Sequence, residues 1–108
     1  MNSASDRLNE QLSRHAKRVV KREYDRAVQH FCKLNYLKTK ASINKILNVD
    51  PKNAAANTLL ARVALSANDF DTAGDLISNV LINNPNYVDA HKLLGEIHKK
   101  SGVLDRES

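Results

Sequence analysis

The side chains best suited to chemistry are few in this chain, and their spacing excludes most chemistry. It has four histidines and a single cysteine. His91 and His98 stand two helical turns apart. Helical zinc sites place two histidines four residues apart on one face, so this pair needs other ligands to hold an ion. Cys32 lies two residues from His30. Neighbours at that spacing point to different faces of a helix, so they do not form a nucleophile and its base. No glycine-rich phosphate loop and no recognisable carboxylate pair occurs. The expectation is a non-enzymatic chain with no catalytic residue, no metal ligands and no cofactor.

A lone cysteine cannot form an internal disulfide, which fits a reducing compartment. The start Met-Asn-Ser-Ala-Ser lacks a basic-then-apolar signal pattern, and no apolar run is long enough to span a bilayer. A cytoplasmic protein with no membrane contact is expected.

Positive charge offers a second chemistry. Residues 1–52 carry twelve Lys/Arg against five Asp/Glu, and residues 53–108 carry five against seven, within a net charge of +5. Arg14, Lys17, Arg18, Lys21, Arg22 and Arg26 cover about half the circumference of a helix at roughly 100° per residue. Leu12, Ala16, Val19, Val20, Ala27 and Phe31 form the opposite face. Such a basic face suits nucleic acid phosphates or an acidic partner. It lacks base-stacking aromatics, Tyr24 lying towards the apolar side, and no base-reading motif accompanies it. A solubilising outer face of an end helix is the ordinary alternative.

These residues need elements to position them. The chain has three Gly and two Pro, none of them before Pro51. Aromatic and β-branched residues do not alternate, so strands have little support. An all-α chain of about five helices is expected, over roughly 6–32, 36–48, 54–67, 70–83 and 87–101. Ala56, Leu60, Val63, Ala64 and Ala67 form one apolar stripe. Phe70, Ala73, Ile77, Val80 and Leu81 form the next, and Ala90, Leu94 and Ile97 the last. Asn35, Asn53 and Asn86 are candidate N-caps, and Ser101-Gly102 is the expected end of the last helix.

The chain also repeats itself. "DPKNAAANTLLA" (Asp50 to Ala61) and "NPNYVDAHKLLG" (Asn84 to Gly95) echo each other at a 34-residue offset. Tyr36, Ile43, Ile46 and Leu47 precede Phe70, Ile77, Val80 and Leu81 by the same interval. In the first helix the match slips to 33, with Tyr24, Ala27, Val28 and Phe31 facing Asn57, Leu60, Ala61 and Ala64. A rival alignment makes "REYDRAVQHF" (Arg22 to Phe31) the turn and second helix of a repeat. The continuous apolar face across Tyr24 favours one long helix. A helix hairpin with one apolar stripe on each helix cannot cover both alone, so tandem stacking follows.

Period, proline position and small residues together resemble the tetratricopeptide repeat, whose 34-residue pattern runs W-x2-L-G-x2-Y, A-x3-F and P. Asn57, Leu60, Ala61, Ala64, Ala73, Ile77 and Pro85 occupy those positions here, followed by His91, Leu94, Gly95 and His98. The large aromatic positions depart from the pattern, being Asn57/His91 and Ala64/His98. The resemblance implies a right-handed α-solenoid of antiparallel helix hairpins. It makes residues 1–108 one domain, with an atypical basic first hairpin (6–50), a full repeat (51–84) and the first helix of another (85–108). There Leu104 and Asp105 align with Phe70 and Asp71. It places Ala61, Gly95 and Ala73 at close helix contacts, and makes His91 and His98 packing residues.

The resemblance also implies a function: binding a peptide or protein segment on a concave groove, as an adaptor or scaffold. Position by position, that face holds Ala55, Thr58, Arg62, Leu65 and Ser66, then Asp89, Lys92, Glu96, Lys99 and Lys100. Arg62 and Lys92 could hold a carboxylate or backbone carbonyls. Leu59 and Leu93, on inner-face positions, depart from the chaperone-tail clamp, so that ligand is not expected. Two other function classes stand beside this one. The basic helix could bind nucleic acid or an acidic partner, and the exposed ends of a short stack could make a homo-oligomer.

Overall fold

In the computed structural model, the backbone is described from residue 3 to 107 and the side chains from 14 to 102. Leu12, Leu104 and Asp105 therefore lie outside the described side chains. Five α-helices follow one another: α1 (Ser3–Cys32), α2 (Tyr36–Val49), α3 (Ala54–Ser66), α4 (Phe70–Asn83) and α5 (Val88–Glu107). Among the described residues there is no strand. The chain falls into two compact units, Met1–Pro51 and Lys52–Ser108.

Polar caps start three of the helices. Asn35 accepts the backbone N–H of Lys38 at 3.3 Å, Asn53 that of Ala56 at 2.8 Å, and Asp69 that of Thr72 at 3.2 Å. Each satisfies one of the orphan donors of a first turn. The third expected cap, Asn86, is corrected. Asn84 and Pro85 open a turn closed by the N–H of Tyr87 on the Asn84 carbonyl at 3.1 Å. Asn86 is consumed by that turn. The residue preceding α5 is Tyr87, whose carbonyl accepts the N–H of His91 at 3.3 Å.

The two hairpin turns are built alike. Leu34 has φ 60° and Asn68 has φ 59°, a left-handed conformation that reverses the chain. Asn35 N–H donates to the His30 carbonyl, and Asp69 N–H to the Ala64 carbonyl, both at 2.9 Å. His30 and Ala64, like Leu34 and Asn68, stand one full period apart. The slip to 33 is thus corrected: the period holds through the first turn. The small residue of α1 that matches Ala61 is Ala27, and both are fully buried. α1 also runs unbroken through Arg22, which rules out the rival alignment.

The next position in this series is Gly102. It stays helical, with no positive φ, and α5 runs on to Glu107. The expected stop at Ser101-Gly102 is therefore corrected. A helix keeps its backbone hydrogen bonds by continuing, and it gives them up at Leu34 and Asn68 where the next helix packs back on the last.

In the first unit α2 packs along α1. Val19, Ala27, Ile43 and Ile46 are buried there. Glu23 joins them, at 0% exposure. In the second unit Ala61, Leu65, Ala73, Ile77, Val80, Ala90, Leu93 and Ile97 form one core shared by α3, α4 and α5. Burying each large aliphatic side chain is worth roughly 1.5–3 kcal/mol before conformational entropy is charged against it. Leu59 and Leu93 are buried as well. The inner-face assignment given them by sequence is corrected, since apolar packing claims both.

Candidate functional site

One concave site is built from the last turns of α3 and the middle of α5. Arg62 donates through Nη1 to Glu96 Oε2 at 3.2 Å. Lys100 donates through Nζ to the Leu65 carbonyl at 3.3 Å. That carbonyl belongs to the last turn of α3, where the helix dipole favours a cation, and it also accepts the Asn68 N–H at 2.9 Å. The two contacts fasten one side of α5 to α3. Between them lies a cavity of about 400 Å³ lined by Leu65, Glu96, Lys99 and Lys100. Its volume is within the range of pockets that hold small ligands or anchoring side chains. Its walls are almost wholly apolar although three of its four described lining residues are charged. The long side chains contribute their aliphatic stems and carry their charges at the rim.

Four of the residues that sequence puts on one face line this cavity together. Leu65, Glu96, Lys99 and Lys100 converge. Arg62 reaches the same place through its ion pair. That pair engages Nη1 of the Arg62 guanidinium with one carboxylate oxygen of the next repeat. The signal was present in the sequence: Arg62 and Glu96 are one period apart, and equivalent positions on successive repeats lie side by side. Ser66 is exposed, and its hydroxyl donates to the Arg62 carbonyl at 3.0 Å. Asp89 and Lys92 are exposed on α5 but do not line the cavity. Thr58 is a correction. It is 4% exposed, and its hydroxyl oxygen has no hydrogen-bond partner. Packing around the first half of α3 takes it away from a ligand.

His91 and His98 are exposed, against the expectation that both pack. His91 Nε2–H donates to the Pro85 carbonyl at 2.6 Å, fastening the turn before α5. Gly95 is exposed too, and a Cβ built there meets nothing within 4 Å. No described helix covers the face of α5 on which these three residues lie.

The basic face of α1 is present. Arg14, Lys17, Arg18, Lys21, Arg22 and Arg26 are all exposed. Two of them are partly committed to the buried Glu23. Arg26 Nη1 lies 3.2 Å from both Glu23 carboxylate oxygens, and Arg22 Nε lies 3.9 Å from one. Lys45 of α2 adds a third cation at 3.9 Å. Sequence reasoning missed Glu23. It falls on the apolar stripe between Val19 and Ala27, which is the available signal. A carboxylate is tolerated there because three cations surround it.

The helix order, the left-handed turns spaced by one period and the small residues at Ala27, Ala61 and Ala73 define a repeat. A family model for the tetratricopeptide repeat matches residues 22–97. The chain belongs to the tetratricopeptide repeat family. No curated protein and no solved structure matches it. Tetratricopeptide repeats generally mediate protein–protein interactions. The match begins inside α1, at the point where the 34-residue register becomes traceable through Ala27 and Leu34. Among the described residues, no cluster of three or more His, Cys, Asp or Glu could hold a metal ion. No helix among them is long and apolar enough to cross a membrane.

Proposed function

We propose that this tetratricopeptide repeat chain is a non-catalytic interaction module. It binds a segment of another protein at the α3–α5 groove. The observation that carries this reading is the cavity floored by Leu65 and rimmed by Glu96, Lys99 and Lys100. An apolar side chain of the ligand enters the cavity and displaces water from its aliphatic walls. Arg62 and Lys100 are held by Glu96 and by the Leu65 carbonyl, so they set the groove's shape. Lys99 then meets an acidic group beside the anchor residue. The preferred ligand is a segment in which Leu, Met or Phe adjoins Asp or Glu.

Selection from a random peptide display library tests the reading. Enriched peptides carry an apolar residue next to an acidic one. A labelled synthetic copy binds the Lys99→Glu variant at least about tenfold more weakly, a loss of ~1.4 kcal/mol. The helical circular dichroism of the variant is unchanged, and Lys40→Glu on α2 leaves affinity intact. Enriched peptides that bind Lys99→Glu as tightly as the native chain would refute this groove.

A further inference from the structure

The opposite side of α5 carries a second cleft, which the groove reading does not use. It lies between α4 and α5, measures about 540 Å³, and has Phe70, Leu94 and Ile97 among its lining, with Asp71, Asp75 and His98 beside them. No lysine or arginine lines it among the described residues. Gly74 also faces it, and a Cβ built there meets nothing within 4 Å. A glycine inside a helix costs about 1 kcal/mol against alanine. The chain's own packing gives no reason for that cost. Close approach of an outside helix does.

Gly95 agrees with this. Its equivalents one and two periods earlier, Ala61 and Ala27, are both fully buried, whereas Gly95 is exposed. The repeat therefore offers a surface for a helix at a place where none is packed.

The charge on this chain names the occupant. α1 has 30 residues and α2 has 14. At 1.5 Å rise per residue, α2 can cover no more than about half of α1. Arg14, Lys17, Arg18 and Lys21 are exposed in the earlier part of α1, with Ala16 and Val20 half-buried beside them. Glu23 engages Arg22 and Arg26 and leaves these four cations to other partners. We propose that the α4–α5 cleft docks the basic α1 helix of a second copy of this chain, head to tail. Asp71 and Asp75 meet the cations of α1, its small apolar edge lies over Phe70, Leu94 and Ile97, and Gly74 admits its backbone. The two surfaces differ, so the contact is heterologous. It extends into chains of molecules unless the rotation happens to close a ring.

Sedimentation from about 1 µM to about 200 µM protein in about 50 mM salt tests this. The average mass of the native chain rises above the 12.1 kDa monomer, and about 500 mM salt restores the monomer. The neutral variants Asp71→Asn/Asp75→Asn and Lys17→Gln/Arg18→Gln/Lys21→Gln are each monomeric alone. Mixed, they form a 1:1 complex and nothing larger, because a single complementary pair of surfaces survives. Gly74→Arg fills the cleft and stays monomeric, and its helical signal persists because arginine favours a helix over glycine. A native chain that remains monomeric at low salt overturns the proposal. Association that survives in either neutral variant overturns it as well, by assigning the contact to another surface. So does a monomer that retards single-stranded DNA, which gives the basic face to nucleic acid.

Discussion

The hairpin α1–α2 and the hairpin α3–α4 solve the same folding problem with different side chains. Both turn at a left-handed residue, Leu34 in one and Asn68 in the other. Both cap the second helix with a polar side chain, Asn35 or Asp69. Both bury a small residue at the same position, Ala27 or Ala61. They diverge a single turn earlier in the first helix. α1 buries Glu23 beneath three cations, while its equivalent Asn57 donates its side-chain amide to the Asn53 carbonyl at 2.9 Å. The repeat constrains turns and small residues closely, because backbone geometry and helix separation depend on them. It leaves the large positions free, provided that each polar group finds a partner. In this chain that freedom makes one hairpin a basic surface and leaves the other acidic, with Arg62 against Asp69, Asp71 and Asp75.

The largest test of this equivalence lies in the cores. Ile43 and Ile77 are one period apart and both fully buried. Replacing either by alanine is expected to cost about 2–5 kcal/mol. Urea unfolding followed by circular dichroism gives both values. Costs that differ by more than about 2 kcal/mol would mean that the two positions are not packed alike.

The turns come next. A leucine at positive φ is strained by roughly 1–2 kcal/mol, and asparagine tolerates that region better. Leu34 is 71% exposed, so little packing is lost when it changes. Leu34→Asn should therefore stabilise the chain by up to about 1 kcal/mol, and Asn68→Leu should destabilise it by a similar amount. The same denaturation experiment reads both. A destabilising Leu34→Asn would show that the side chain of Leu34 matters more than its backbone.

The smallest effect concerns Glu23. Its partners are largely exposed, with Arg26 at 54% and Lys45 at 61%, so water screens much of the attraction. Replacing a buried ion pair by an apolar side chain of similar size is often neutral or stabilising. Glu23→Met should change stability by less than about 1 kcal/mol. A clearly larger loss would make Glu23 a structural requirement of the first hairpin and sharpen its difference from the second.

Much of the fold was legible because helix formation and turning are local. Two of the polar caps, Asn35 and Asn53, the break near Leu34-Asn35 and the prolines Pro51 and Pro85 appear as residue types at fixed spacing. The misplaced features have a shared cause. Asn86 looked like a cap, but the hydrogen-bonded turn begun by Asn84 shifted the helix start past it. Ser101-Gly102 looked like an end, but a glycine permits a left-handed turn without compelling one. Thr58 and His98 exchanged burial because exposure depends on which helix lies alongside. Periodicity within one helix does not contain that information.

The sequence by itself determined the all-α class, the 34-residue period and the uneven division of charge, since these follow from residue types and their spacing. Tertiary structure decided which charges remain free. It joined Arg62 to Glu96 across one period, drew Lys100 onto the end of α3, and buried Glu23 among cations from two helices. The physical reason is distance. A charge or a hydroxyl acts through whatever lies within a few ångströms of it, and for residues far apart in the chain only packing sets that neighbour.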